Sequence, residues 1–325
     1  MSSVVSQFHG LIEKEIRKKK YGKQPASLYD PISYLMGLGG KRLRPMLTLL
    51  SYSLYRKDVE RIVPVSIAVE VFHNFTLMHD DIMDNAPLRR GNPTVHEKWN
   101  VNTAILAGDA MQVKVYEILT ELEATTFKTV SIAFNKCAVE VCEGQQWDME
   151  FETTEHVTEA QYINMIRLKT AVLLGFSLEF GAILANANDA DRKSLREFGV
   201  NIGIGFQLKD DLLDAYADPT KFGKQVGGDI IANKKTWLLI KALEKAKGKQ
   251  RTELNKILSE KRFNKKEKIK SVKAIYDSLH IPKLAAKKID YFFSKGFAVL
   301  ETLSIDPSAK AELKKFTERL IERQT

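Results

Sequence analysis

The chain has 325 residues, 44% apolar and 28% charged, which is an ordinary globular composition with enough apolar material for a sizeable core. Its formal net charge of +9 admits nucleic acid, an anionic membrane surface or phosphorylated small molecules as partners. Only Cys137 and Cys142 are present, which excludes a disulfide framework and fits a reducing compartment; the first twenty residues carry charges where a signal peptide needs an apolar core, so a cytoplasmic protein is expected.

Nine prolines and 18 glycines leave room for long uninterrupted helices. In chain order, helical periodicity predicts helices over 8–20, 28–36, 42–55 and 64–84, the last beginning at Pro64 and stopped by "NAP". Further helices are expected over 101–122, 127–150 and 159–184, and another runs from "NDADRKSL" to Asp218. Gly199, Gly203 and Gly205 lie inside that last helix; each costs about 1 kcal/mol relative to Ala, so close approach by another helix or a ligand is expected there. The series ends with 233–246, 251–259, 266–279, 281–301 and 307–322. No alternating strand pattern stands out, and no Ser/Gly/Pro-rich linker divides the helices. The expectation is one all-α domain over 1–325. The stretch "TAVLLGFSLEFGAILA" carries Glu179 and falls short of the ~20 apolar residues a bilayer span needs, so no stable membrane insertion is expected. The basic stretch 241–273 reads as solvated helix faces, and without a recognised binding motif or interleaved aromatics no nucleic-acid partner is expected.

Two acidic clusters stand out, "HDDIMDNAPLRRG" from residue 79 and "FQLKDDLLDAYAD" from residue 206. At 100° per residue, Asp80 and Asp84 lie about 40° apart on one helix face and His73 about 20° from Asp80. Asp81 lies further round. In the second helix Gln207, Asp210, Asp211 and Asp214 share an arc of about 100°. Like charges a turn apart destabilise a helix. Each cluster is open to two readings, a solvated acidic face or a site for Mg²⁺, which takes oxygen ligands from one or two carboxylates plus substrate phosphates. Cations stand near both clusters. Arg89 and Arg90 follow the first in an expected loop, and arginine grips phosphate bidentately. "GGKRLRP" places Lys41 and Arg44 at a helix start, where free N–H groups favour an anion. Lys224 and Lys234 lie in or beside the glycine-rich "KFGKQVGGDIIANKKTW", and Lys169 and Thr170 interrupt an apolar helix in "RLKTA". Each of these alone also reads as ordinary surface charge.

Taken in order, "GGKRLRP", "DDIMD" with "RRG", "GQ" at 144–145, "KT" at 169–170, "FQLKDDLLD" and "GK…GGDI…NKKT" resemble the trans-isoprenyl diphosphate synthases, or polyprenyl synthetases, over residues 37–237. The resemblance implies an all-α isoprenoid-synthase bundle of long helices around a deep central cavity. It also implies a homodimer and Mg²⁺-dependent head-to-tail condensation of isopentenyl diphosphate with an allylic diphosphate. By this resemblance Asp80, Asp81, Asp84, Asp210, Asp211 and Asp214 would hold Mg²⁺, three ions per site. Arg89, Lys169, Thr170, Gln207, Lys224 and Lys234 would hold the allylic substrate, and Lys41, Arg44, His73 and Arg90 isopentenyl diphosphate. Asp148, after "GQQW", is a secondary candidate. Asp80, Asp81, Asp84, Lys169, Asp210 and Lys224 are the expected catalytic residues. In such proteins bulk just before the first cluster sets product length. Phe75 lies five residues before Asp80, about 7–8 Å along the axis, and Phe72 about 12 Å, with Thr76 between. Together with the uninterrupted "DDIMD", this resembles C20, geranylgeranyl-forming members, with C15 farnesyl synthesis the alternative. Helical geometry puts Phe75 about 140° from Asp80, so periodicity alone would favour Thr76 or Phe72 as pocket-lining. A terpene cyclase or a noncatalytic prenyltransferase subunit fits less well, because the second cluster is Asp-rich and both clusters are present.

Overall fold

The computed structural model describes residues 3–217 and 226–322. Lys224, one of the expected site residues, lies outside the described residues. The first half is built from α1 (Ser3–Lys18), α2 (Ala26–Gly37), α3 (Leu43–Ser53), α4 (Val63–Met83), α5 (Val95–Lys98), α6 (Val101–Leu119) and α7 (Ala124–Thr153). The second half has α8 (Glu159–Ile166), α9 (Val172–Leu184), α10 (Asp189–Tyr216), α11 (Gly228–Ile231), α12 (Trp237–Lys245), α13 (Gly248–Ser259), α14 (Lys265–Ser278), α15 (Ile281–Glu301) and α16 (Pro307–Glu322). A 3₁₀ turn, Val59–Ile62, leads into α4, and a π-helical turn, Arg167–Ala171, joins α8 to α9. Sequence periodicity located the long helices. It missed α5, α11 and the 3₁₀ turn, each too short to show an amphipathic repeat.

The expectation of a loop holds for Arg90 and needs correction for Arg89. Leu88–Arg89 and Asn92–Pro93 pair as a two-stranded antiparallel hairpin. Its loop is Arg90-Gly91, with φ 53° and 75°, the two positive angles that a tight primed hairpin turn requires. Two-residue strands are too short to show alternation in sequence.

The helices pack into two units, each assembled from separate chain segments: residues 1–137, 176–196 and 303–313, and residues 138–175, 197–302 and 314–325. Four of the five boundaries fall inside helices, and the fifth, 302/303, falls in the turn after α15.

In the first unit α4 is apolar nearly all round and buried accordingly. Among the described residues one helical run, Val59–Met83, is long and apolar enough to cross a bilayer, and 72% of its apolar window is buried, as in a core helix. Phe72 packs edge-on against Phe134 at 5.0 Å between ring centres, and Phe134 against Phe176 at 5.7 Å. The α3 and α9 backbones are laced together by Thr48 Oγ1, which donates to the Ser177 carbonyl at 2.9 Å, and by Ser51 Oγ, which donates to the Leu178 carbonyl at 2.6 Å. In the second unit α10 runs against the Arg167–Ala171 turn and α15. A Cβ on Gly203 would stand 2.6 Å from Ala171 Cα, and one on Gly205 2.6 Å from the Phe293 ring. Two of the helix-interior glycines therefore permit the close helix approach expected of them.

Candidate active site

The first acidic cluster sits where α4 stops. The stop is a Schellman arrangement: Asn85 takes φ 49°, its N–H donates to the Ile82 carbonyl at 3.2 Å, and the Ala86 N–H donates to the Asp81 carbonyl at 2.9 Å. The chain reverses there into the hairpin, which brings Arg89 back onto the aspartates. Arg89 Nε donates to both Asp81 carboxylate oxygens at 2.8 Å, and Nη2 lies 2.7 Å from Asp81 Oδ1 and 3.7 Å from Asp80 Oδ2. Asp81 is buried; burial raises its proton affinity, with the Arg89 hydrogen bond and charge opposing. Asp84 is exposed and Asp80 half-buried.

On the same unit the "GGKRLRP" segment divides its labour. Arg42, in the left-handed region at φ 46°, is buried. It donates to Glu13 at 2.7 Å, Glu70 at 3.0 Å and the Met36 carbonyl at 2.7 Å, so it ties α1, α2 and α4 together. Arg44 has a buried Nε with no hydrogen-bond partner among the described residues, and burial lowers its pKa to about 10. Arg90 is exposed as a residue; its guanidinium donates to the Gly39 carbonyl, and partial desolvation shifts its pKa down. His73 is pushed well below the ordinary imidazole range by burial and then by Arg44 and Arg90. Arg44 and Arg90 thus stand as two guanidiniums around an imidazole that they and burial hold neutral. Lys41 is exposed beside them in sequence.

Upstream on α4, Phe75 is buried, 4.8 Å from the His79 ring centre and 5.6 Å from that of Phe72. Thr76 Oγ1 is satisfied by the His73 carbonyl of its own helix at 2.8 Å.

The second cluster lies in the other unit, on α10. Asp211 is buried and accepts hydrogen bonds from the Tyr162 hydroxyl and, at 3.2 Å, from Gln207 Nε2. Burial, reinforced by Asp229, pushes its pKa up to about 7. Thr170 Oγ1 donates to Gln207 Oε1 at 3.4 Å, so Thr170, Gln207, Asp211 and Tyr162 form one chain. Asp214 Oδ2 accepts from the Asp229 N–H at 3.0 Å and its carbonyl from the Gly227 N–H at 2.6 Å, which anchors the glycine-rich loop to α10. Asp210 and Asp214 are half-buried.

Lys169 rides on the π-helical turn. Gly144 explains its placement: a Cβ there would stand 2.1 Å from the Lys169 backbone nitrogen, so α7 meets the turn backbone to backbone. Lys169 Nζ consequently reaches Asp148 Oδ2 at 2.6 Å, with Lys234 Nζ 3.6 Å from the same oxygen. Burial would raise the Asp148 carboxyl; Lys234 and Lys169 outweigh it and hold it low.

A sequence profile described as polyprenyl synthetase matches residues 25–276. The chain belongs to the polyprenyl synthetase family. It is 40% identical over 273 residues to a short chain isoprenyl diphosphate synthase of Methanocaldococcus jannaschii, covering 84% of this chain and 83% of that one. It is 45% identical over 246 residues to a geranylgeranyl diphosphate synthase of Saccharolobus solfataricus, covering 74% of each. A crystal structure of a geranylgeranyl pyrophosphate synthase superposes with a TM-score of 0.95 at 42% identity, over 100% of both chains. The protein is therefore a prenyltransferase, a short-chain trans-prenyl diphosphate synthase with the all-α isoprenoid-synthase fold.

In this synthase the structure gathers Asp80, Asp81 and Arg89 into one cluster, and Arg44, His73 and Arg90 into a mutually interacting group of the same unit. It gathers Lys169 and Lys234 on Asp148, and Thr170 and Gln207 on Asp211. Among the described residues no three carboxylate, imidazole or thiol side chains converge as a ready-made metal cage. Sequence reasoning missed Tyr162 and Asp229. Asp229 stood inside the quoted "GGDI", whereas Tyr162 lies 49 residues from its partner and had no local signal.

Proposed function

We propose that this enzyme condenses isopentenyl diphosphate with dimethylallyl, geranyl or farnesyl diphosphate, and that its main product is the C20 geranylgeranyl diphosphate. The observation that carries the reading is the grouping of Arg44 and Arg90 with a neutral His73: Arg44 keeps a buried Nε with no hydrogen-bond partner among the described residues, and two guanidiniums beside an uncharged imidazole suit a polyanion. Arginine forks match a diphosphate head. Asp80, Asp84 and Asp210 offer the hard carboxylate oxygens that suit Mg²⁺. Such a cation takes one or two carboxylates and completes its shell with water and phosphate. In this reading three ions serve the site, and Asp81 and Asp211 act from beneath, one fixing Arg89 and the other fixed by Tyr162.

Bound Mg²⁺ supplies charge neutralisation for the departing diphosphate. Arg89, Lys169 and Lys234 would add positive charge that stabilises the same developing charge. Arg44, Arg90 and Lys41 hold the isopentenyl diphosphate head, and the neutral imidazole of His73 offers it a hydrogen-bond donor without adding repulsion. Phe72, Phe75 and Thr76 present an apolar wall that keeps water from the allylic cation. The C–O bond of the allylic substrate breaks, the isopentenyl double bond attacks the cation, and the released diphosphate takes the proton lost. No side-chain base is called for.

The enzyme would work as a homodimer. On α6, Leu106 and Val113 are 60% and 66% exposed, as is Ile132 of α7 at 64%, an outward apolar face suited to a second copy.

An Mg²⁺ assay with each of the three allylic starters, read by mass spectrometry, tests the reaction. Accumulation of C20 product from all three is expected. Product ending at C15 would favour the farnesyl alternative, and no elongation would overturn the proposal.

A further inference from the structure

The excess positive charge of the chain resides in one stretch that the proposed chemistry leaves unused. Residues 241–273 hold thirteen Lys or Arg against four Glu, a net +9 equal to that of the whole chain. The stretch spans the end of α12, all of α13 and most of α14, within the second unit. In α14, Lys266, Lys270 and Lys273 recur at four- and three-residue steps and fall within about 60° of one another. The opposite face of that helix buries Val272, Ile275 and Tyr276. In α13, Lys249 and Lys256 stand two turns apart on a face turned away from buried Leu254. Gln250 Nε2 donates to Ser278 Oγ at 3.0 Å, which lays the start of α13 beside the end of α14.

Some cations of the stretch are occupied within the fold. Lys268 is buried, donates to the Ile231 carbonyl at 3.1 Å and lies 3.9 Å over the Phe263 ring. Lys241 pairs with Glu244 at 2.6 Å and also with Glu159. Lys249, Lys256, Lys266 and Lys270 are exposed and enter no ion pair among the described residues. Like charges a helical turn apart cost stability; Lys266 and Lys270 stand in that relation, while Lys273 lies 4.7 Å over the Tyr216 ring. At the edge of the same unit a groove of about 500 Å³ is bordered by Lys245, Lys287 and Tyr291, the last 56% exposed.

We propose that this basic face adsorbs the enzyme onto a bilayer surface bearing anionic phospholipid headgroups, without insertion. The partner must offer negative charge over an area rather than at a point, because the cations are spread along two helices and a loop. It also has to suit lysine. Of the thirteen cations only Arg251 and Arg262 are arginines, and Arg251 donates to the Leu243 carbonyl. The Arg forks and stacking aromatics that grip a nucleic acid are scarce here, whereas lysine stems with charged heads, and a tyrosine with an apolar ring and polar tip, suit a headgroup layer. The choice of a bilayer rests on the reading above, in which the product is a diphosphate with a long apolar tail that leaves water for lipid.

Full-length enzyme, without substrate, is to be co-sedimented with neutral phosphatidylcholine vesicles and with vesicles containing about one third phosphatidylserine, at low and high salt. Binding to the anionic vesicles alone, lost at high salt, is expected. The double variant K266Q/K270Q should bind about 25-fold more weakly, at roughly fivefold per lysine, with prenyl transfer in vesicle-free solution unchanged. Equal binding to neutral vesicles, no binding to anionic ones, or a variant that binds like the parent would overturn the proposal. So would displacement from vesicles by a DNA duplex at a lower phosphate concentration, which would assign the face to nucleic acid. Failure of prenyl transfer in the parent enzyme would sink the functional reading and leave the vesicle result standing.

Discussion

Arg89 gives most of its fork to a carboxylate that has almost no contact with water, so the pair is expected to matter for folding as well as for chemistry. Arg89→Ala would leave Asp81 buried and unpartnered, at a cost of about 2–4 kcal/mol, read as a lower urea midpoint. If Arg89 holds the departing diphosphate as proposed, prenyl transfer should fall by about 10²–10³-fold with the loss of that cation. Arg89→Lys should recover part of the stability and little of the activity, since an ammonium cannot reproduce two parallel bonds. Phe75→Ala is expected to shift products to longer chains by mass spectrometry; an unchanged distribution would assign product length elsewhere. Phe75 packs on His79 and Phe72, in line with the periodicity that turned it away from Asp80, so its influence would run through the position of Phe72. The shared face of Asp80, Asp84 and His73 was legible because it follows from 100° per residue. The burial of Asp81 and Asp211 was not, because it depends on Arg89 and Tyr162 arriving from other segments.

The π-helical turn at Arg167–Ala171 is where α7 packs against the junction of α8 and α9 that carries Lys169 and Thr170. Gly144→Ala places a methyl against the Lys169 backbone, an overpacking cost of about 1–3 kcal/mol. Because Lys169 and Thr170 move with that turn, the KM for the allylic substrate should rise more than that for isopentenyl diphosphate in two-substrate kinetics. A second tie concerns Glu159 at the start of α8. Burial raises its pKa, but the ammonium groups of Lys241 of α12 and Lys288 of α15 outweigh this and hold it at about 2. A carboxyl depressed in the folded state stabilises above its unfolded pKa and loses that contribution as pH falls through the folded value. Glu159→Gln should therefore lower stability at neutral pH by about 1 kcal/mol, after discounting for solvent screening, and flatten the loss of stability between about pH 4.5 and 2 in thermal melts. The sequence showed the "KT" within an apolar helix. It could not show the extra residue in the turn, because a π-bulge carries no periodic signature of its own.

At the scale of the whole molecule, the exposed apolar side chains of α6 and α7 predict association. Leu106→Glu combined with Val113→Glu should convert a dimer to a monomer in sedimentation equilibrium, while the far-ultraviolet circular dichroism stays helical. A monomeric parent protein would refute the homodimer. Family, helical class and the order of the motifs were readable from the chain itself, because long amphipathic helices and the "DDIMD", "KDDLLD" and "GGDI" segments are local patterns.

What the sequence determined alone is the chemistry on offer: two acidic helix faces, each followed by cations, and enough apolar residues to bury the rest. The tertiary structure decided which of those charges do structural work. Arg42, two residues from Arg44, became a buried tie among three helices; Asp81 and Asp211 turned inward, while Asp80 and Asp210 remained half-buried. Neighbours in sequence differ in fate because a helix turns successive side chains 100° apart, and only the elements packed against it determine which direction is core.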